Sequence, residues 1–325
     1  MLNTYAAVLE AAFPERRMGA FRSTLSRNSV RFATSSSPQF SRTVSPGTSE
    51  SFSLTVPANT VQASVNIFWG FGANDFGLKV FNAQGNLLGE SNGVNLPGFS
   101  GRREKVVLAN PLAQTLSASV RHTIGVGTSQ EVFGSMELTT VQYPILNDLS
   151  SLSPAMQSQA QQSLLNSVML PQGKRFRPTS PVTRADFAET LVRGGGVPQY
   201  VAANRMYSDV KDISTRSVVE SVQSSPNGRI FVDVNAGSRF YPNESVSRII
   251  AAVAFVRAAG LENSVATATL SPTVIDGLAI PAQLRGYVAV ALQYGFLTLD
   301  GDRFNQSRSL TRLELALAMN TLVQR

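Results

Sequence analysis

RFRPTSPVTRADFAETLVR (175–193) returns twice along the chain, as RFYPNESVSRIIAAVAFVR (239–257) and RFNQSRSLTRLELALAMNT (303–321). The Arg-Phe pairs begin at 175, 239 and 303 and the Thr/Ser-Arg pairs at 183, 247 and 311, so both recur every 64 residues. A fixed period over three copies is the primary sign of a repeat architecture. After each Thr/Ser-Arg the apolar residues keep helical spacing. In the second copy they are Val246, Ile249, Ile250, Val253 and Val256. Thr183 is a good N-cap, and Asp186 three residues on completes the pattern of a capping box. Arg184 is the oddity. A cation in the first turn opposes the helix dipole, at a cost of about 0.3–1 kcal/mol when exposed. Arg248 and Arg312 repeat the choice. Something other than helix stability places them.

Working outward, another helix is expected before each Phe, over 154–168, around 214–224 and over 284–294. Each copy therefore reads helix, loop, helix, over about 148–196, 197–260 and 261–325. RGGGVP (193–198) stops one helix and joins the first copy to the second. Upstream the pattern changes. SFSLTVP, ASVNIFWGF, FGLKVFNAQGNLLGE, KVVLAN, LSASVRHTIGV and SMELTTVQY, all within 48–143, are short, β-branched or aromatic, and separated by turn residues. Alternation is clear in Phe52–Leu54–Val56, and Gln84-Gly85-Asn86 reads as a hairpin turn. These strands predict a β-sandwich or jelly roll. Residues 21–47, rich in Arg and Ser, read as a linker, and 1–20 as one short helix stopped near Pro14. The expected fold class is multidomain α+β: a β-sandwich or jelly roll, then an all-α bundle of three repeats.

Composition narrows the function classes. The chain has 325 residues, 43% of them hydrophobic, enough for two or three cored domains. It holds no cysteine and one histidine, which excludes disulfide scaffolds, thiolate metal sites and multi-histidine zinc sites. The net charge is +7. Residues 1–44 carry six bases and two acids, 45–147 five and six, and 148–325 seventeen and thirteen. Nearly all the bases are arginine, whose planar fork suits carboxylates and phosphates. An anionic partner is one reading of that balance, and solubility is the plainer one. The bases are dispersed, without the aromatic interleaving of a nucleic-acid surface, so no nucleic acid is expected. The most apolar helix, Ile249–Val256, is too short to span a bilayer, so no membrane span is expected.

The three copies resemble the S-layer homology module, in which a helix, a Gly-containing loop and a Phe with a nearby Pro lead to Thr-Arg-Ala-Glu opening a second helix. The first copy carries Phe176, Pro178 and Thr183-Arg184-Ala185-Asp186-Phe187. The third carries Tyr287 where Trp is common, Gly295 as helix stop and Thr311-Arg312-Leu313-Glu314. The second keeps Phe240, Pro242, Ser247 and Arg248 but has Ile250 where an acid is expected. The resemblance implies a pseudo-threefold helical bundle that holds an exported bacterial protein on an anionic cell-wall or envelope polysaccharide. It implies an extracellular, surface-associated location. It places Arg184, Arg248 and Arg312, with Thr183, Thr311 and Tyr287, at grooves that receive the polymer. A second reading of the arginines stands beside it: they bond acceptors in the neighbouring copy and hold the bundle together.

The stretch LTVPANTVQASVNIFWGFGANDFGLKVFNAQGNLLGES (54–91) resembles the prepeptidase C-terminal β-domain of secreted bacterial peptidases. Related domains bind calcium, but Asn74 and Asp75 alone do not make a calcium site and read better as a turn. Leu2, Asn3, Ala6, Ala7 and Val8 are similar to a stretch near the end of subtilisin-like protease domains. That resemblance implies the C-terminal part of a surface subtilase. The alternative is a structural surface-layer or adhesion protein. No catalytic site, cofactor or metal is expected in the chain. His122 lies in an expected strand and reads as an exposed or hydrogen-bonded strand residue. Asp209, Asp233, Asp300 and Asp302 precede or lie within the Phe loops and read as turn caps.

Overall fold

Alternation builds the first half of the chain. In β3 (Ser49–Val56) Phe52, Leu54 and Val56 are buried while their neighbours face solvent, the period-2 signature of a half-buried strand. The computed structural model describes residue 11 and residues 31–323 apart from 38, 58, 94–101, 110, 126 and 236. The short helix expected over 1–20, a remnant of an upstream domain on the subtilase resemblance, falls almost entirely outside the described residues. The described chain forms two units, one over 31–142 and the other over 143–323.

The first unit is two antiparallel sheets. One has the order β1 (Arg31–Ser36), β9 (Gln130–Gln142), β4 (Thr60–Trp69), β7 (Arg103–Ala109), with β2 (Phe40–Val44) also on β9. The other runs β3, β8 (Gln114–Ile124), β5 (Asp75–Phe81), β6 (Leu87–Ser91). Both sheets contribute to one core, which includes Leu54, Val65, Ile67, Trp69, Phe76, Leu78, Val120 and Val132.

The linker expected over 21–47 is corrected by β1 and β2, which occupy 31–36 and 40–44 and pair in sequence along the length of β9. Each needs few apolar anchors because the long partner strand supplies the hydrogen bonds. Phe40 sits opposite Gly134. A Cβ on Gly134 would fall 1.9 Å from the Phe40 ring, so the glycine is what admits it.

The second unit is helical, with α1 (Pro154–Leu165), α2 (Arg184–Arg193), α3 (Ile213–Gln223), α4 (Arg248–Ala258), α5 (Glu262–Val265), α6 (Ala282–Gln293) and α7 (Arg312–Val323). With the two sheets this makes the chain α+β. Apolar packing pairs α2 with α3, α4 with α6 and α7 with α1. Each helix opened by Thr/Ser-Arg thus packs on the first helix of the next copy, and the third copy packs back on the first. Fully buried rings run through the unit in contact: Phe240, Phe231, Phe187, Phe255 and Phe296.

Helix ends follow the sequence. α2 stops at Gly194. Gly195 takes φ +79°, its N–H bonds Val192 O, and the Gly196 N–H bonds Leu191 O at 3.0 Å, the left-handed C-cap that glycine favours. Ser167, Gly260 and Gly295 close α1, α4 and α6 with positive φ and the same pair of bonds.

Candidate functional site

The segments before α2, α4 and α7 meet one another. Isolated bridges join Thr183 to Ser245, Ser247 to Ser309 and Pro181 to Thr311. The backbone N–H of each first-turn arginine donates to the next copy: Arg184 to Glu244 O, Arg248 to Arg308 O and Arg312 to Ser180 O, at 2.8, 2.9 and 3.0 Å. The cycle runs first to second, second to third, third to first.

The guanidinium groups follow the same cycle. Arg184, with 11% of its side chain exposed, forms a two-point ion pair with Asp233. Its guanidinium carbon lies 5.2 Å from the Phe231 ring centroid. Arg248, 1% exposed, donates from Nε to Phe304 O at 2.7 Å, and its two terminal nitrogens reach Glu314 and Thr298 O. Arg312 donates from Nε to Phe176 O at 2.8 Å and from Nη2 to Leu170 O at 2.9 Å. Burial lowers the pKa of Arg248, with Glu314 opposing, and burial likewise lowers that of Arg312. Buried charge persists here because it is hydrogen-bonded and lies over the Phe304 and Phe176 rings. Of the two readings of these arginines, the geometry displays bonds to the neighbouring copy.

Thr183 and Thr311 are helix caps. Thr183 Oγ1 accepts from the Asp186 N–H at 3.1 Å. Thr311 makes the full reciprocal box: its Oγ1 accepts from the Glu314 N–H and the Glu314 carboxylate accepts from the Thr311 N–H at 2.9 Å. Tyr287 is buried in a cluster with Arg257 and Glu262, accepting from Arg257 Nη2 at 3.0 Å and donating to Glu262. Burial first, and then the Glu262 bond, raise its pKa.

Three carboxylates hold the Phe loops. Asp148 accepts from the N–H groups of Phe176 and Arg177, Asp209 from Phe240 and Tyr241, and Asp276 from Phe304 and Asn305. The second residue of each loop has positive φ: 58° at Arg177, 59° at Tyr241 and 55° at Asn305. Partial burial works against ionisation of Asp209 and Asp276. The backbone donors outweigh it, and both pKa values fall. Sequence reasoning named Asp209 as a cap and missed Asp148 and Asp276. They stand 28 residues before Phe176 and Phe304, as Asp209 stands 31 before Phe240, and that approximate recurrence was the available signal. Asp233, read as a turn cap, is the partner of Arg184.

A pocket of about 160 Å³ opens between the third copy and the first, lined by Met169, Leu170, Gln172, Asp186, Arg193 and Arg312 among others. Arg193 is buried and paired with Glu189, and burial pulls its pKa down to about 10.

In the β unit, Asp75 is buried in β5 and its carboxylate accepts from the Thr123 hydroxyl at 3.0 Å. The Asn74 carbonyl accepts from Trp69 Nε1 at 2.8 Å, and the Asn74 side chain meets Gln130. Among the described residues no group of three or more His, Cys, Asp or Glu side chains could hold a metal. His122 departs from expectation. It is 1% exposed and stacks on Phe76 with centroids 4.4 Å apart. Neither ring nitrogen has a hydrogen-bond partner among the described residues. Among those residues no helix is long and apolar enough to cross a membrane.

No family model and no curated protein sequence matches the chain. Among solved structures, it is similar at 13% identity to a periplasmic inhibitor of g-type lysozyme from Aeromonas hydrophila, over 35% of this chain and 89% of that one, with a TM-score of 0.21. It is similar to the VP2 subviral particle of infectious bursal disease virus at 13% identity, over 34% of this chain and 33% of that one, with a TM-score of 0.24. A pilus protein of Bacillus endospore appendages is similar at 9% identity, over 35% and 93%, with a TM-score of 0.23.

Proposed function

We propose that the helical unit is a pseudo-threefold bundle of three S-layer-homology-like repeats, and that the chain is a non-catalytic module holding a larger exported protein on an anionic polysaccharide of the bacterial envelope. The β unit is then a jelly-roll spacer or partner-binding domain of the prepeptidase C-terminal kind. One observation carries the reading. Residues spaced 64 apart in sequence occupy equivalent places in a closed cycle, each arginine reaching the Phe loop region of the next copy. Three segments that depend on one another in this way are braced into one closed unit, which suits a passive anchor. All three arginines are engaged as struts in this unit, but only Arg184 and Arg248 are paired with a carboxylate, so the contact with polymer falls to the junction at Arg312 and to the exposed loops. The resemblance to subtilisin-like proteases rests on Leu2 to Val8, which lie outside the described residues.

The test is cosedimentation of the full chain with purified wall sacculi, before and after mild acid removal of attached polymers. Binding that disappears with the polymers supports the reading, and so does weakening by salt, as charge-assisted contacts require. Failure to sediment with intact sacculi overturns it.

A further inference from the structure

An asparagine or aspartate followed by glycine can close on its own main chain, because no side chain hinders the glycine nitrogen as it approaches Cγ of the residue before it. The chain has four such steps: Asn92-Gly93, Asn227-Gly228, Asp276-Gly277 and Asp300-Gly301. Three are held. Asn227 donates from Nδ2 to Arg257 O in α4 at 2.9 Å, and the Gly228 N–H bonds Ser225 O at 3.0 Å. Asp276 keeps its carboxylate on the N–H groups of Phe304 and Asn305, and the Gly277 N–H bonds Val274 O at 2.9 Å. Asp300 exchanges two backbone bonds with Arg303, and its carboxylate accepts from Asn305 Nδ2 at 3.3 Å. Asn92 is different. It follows Ser91, the last residue of β6, and is exposed. Its side-chain amide makes no hydrogen bond among the described residues.

We propose that Asn92 is a site of spontaneous modification, at which the amide is lost and a carboxylate takes its place. The Gly93 nitrogen attacks Cγ of Asn92, a C–N bond forms, and the Cγ–Nδ2 bond breaks. Ammonia leaves with the Gly93 proton, and a cyclic imide remains. Water then opens the imide. Attack at Cγ gives aspartate, and attack at the main-chain carbonyl gives isoaspartate. The sum is asparagine plus water going to acid plus ammonia, with no redox step and no co-reactant but water. The surroundings give the new charge a consequence. The point that a Cβ on Gly77 would occupy lies 2.7 Å from Asn92 Oδ1 and 3.5 Å from Thr123 Cγ2. The Thr123 hydroxyl bonds the buried Asp75 carboxylate. A Cβ on Gly93 would lie 3.7 Å from Glu104 Oε1, and the Ser91 hydroxyl bonds the same carboxylate. Glu104 is itself buried in β7. Modification therefore sets a third carboxylate beside two buried ones where β6 meets β7, and like charges at that range repel.

The test is incubation of the full chain in mildly alkaline buffer, followed by tryptic mapping with mass spectrometry. Peptides 80–102 and 217–229 carry Asn92 and Asn227, and fragmentation places the change within each. Asn92 is expected to convert faster than Asn227 by about tenfold or more, since Asn227 must first release two hydrogen bonds. In urea the two sites are expected to convert alike. Gly93→Ala is expected to slow conversion of Asn92 and to keep the fold, since its Cβ meets only an ordinary contact at Glu104. Asn92→Asp carries the charge without the chemistry and is expected to lower the urea midpoint read by Trp69 fluorescence. An Asn92 that keeps its amide while a free peptide of residues 80–102 loses it overturns the proposal. Equal rates at Asn92 and Asn227 in the folded chain, or an Asn227 that still lags in urea, overturn the role given to the bonds at Arg257 and Ser225. An unchanged midpoint in Asn92→Asp overturns the consequence drawn for β6 and β7.

Discussion

Arg312 donates from Nε to the carbonyl oxygen of Phe176, 136 residues earlier in the chain, at 2.8 Å. That bond closes the third copy on the first, and it explains why a cation opens a helix. The dipole penalty is about 0.3–1 kcal/mol. A hydrogen bond from a charged donor to a buried carbonyl returns about 1.5–3 kcal/mol. The arginine leaves its own helix and serves its neighbour's loop, and the trade recurs at Arg184 and Arg248 with different acceptors.

The first prediction ranks Arg248 against Arg184. Arg248→Met should be the more damaging, because it strands the carbonyls of Phe304 and Thr298 in a site where the arginine is 1% exposed and takes one cation from Glu314, which keeps Arg308. Removing one partner of such a buried pair costs about 3–5 kcal/mol. Arg184→Met should cost about 1 kcal/mol, since Asp233 is 38% exposed and water replaces the lost partner. Urea unfolding followed by helical circular dichroism measures both, and equal losses would contradict the ranking.

Acid should loosen the helical unit. Asp209 and Asp276 have folded pKa values below the ordinary one, burial opposing and loop N–H groups prevailing. Glu314 is also lowered, with burial opposing and Arg308, the Thr311 N–H and Arg248 favouring its charge. The native state then binds fewer protons than the unfolded chain, so stability rises with pH. The contribution is complete above the unfolded values of about 3.9 for Asp and 4.3 for Glu, and is lost as pH falls through the folded ones. Asp209→Asn combined with Asp276→Asn should lower the urea midpoint at neutral pH and flatten its fall in acid. A double variant that parallels wild type across the range contradicts this.

The repeat was legible because every copy must build the same loop and the same helix start, so the residues that do so recur at one spacing. The partners of the arginines were not legible. Their acceptors are largely backbone carbonyls of Phe176, Leu170, Phe304 and Thr298, and a carbonyl leaves no mark in a sequence. Asp148 and Asp276 escaped for the same reason, since they bind N–H groups. The β1 and β2 strands escaped because an edge strand on a long partner needs only anchors such as Phe40 and Val44, too few to show alternation. His122 was placed in the correct strand, but its burial depends on Phe76 across the sheet.

Strain at the Phe loops yields a third prediction. Arg177 and Tyr241 are exposed and hold φ of 58° and 59°, a region that costs an ordinary L-residue about 1–2 kcal/mol. Glycine there relieves the strain but adds freedom to the unfolded chain. Arg177→Gly and Tyr241→Gly should each raise stability by about 0.5 kcal/mol. Asn305→Gly, from a residue that already tolerates this region, should gain less. Thermal unfolding of the three single variants checks the order, and a loss at Arg177 or Tyr241 refutes it.

The last prediction concerns the β unit. His122 is buried with both ring nitrogens unpartnered among the described residues, and a stranded buried polar group costs about 1–3 kcal/mol. The stacking on Phe76 offsets about 0.5–1.5 kcal/mol of that. His122→Leu removes both effects at similar volume, so the unit should gain about 1 kcal/mol. Gly125→Ala tests the same place from the other side. Its Cβ would lie 2.1 Å from His122 Nε2, so it should destabilise wild type and cost less in the His122→Leu background. Trp69 is the single tryptophan and is buried in β4, so its fluorescence reports unfolding of this unit alone. A loss of stability in His122→Leu would mean that the ring is bonded in solution, and would remove the basis for the expected gain.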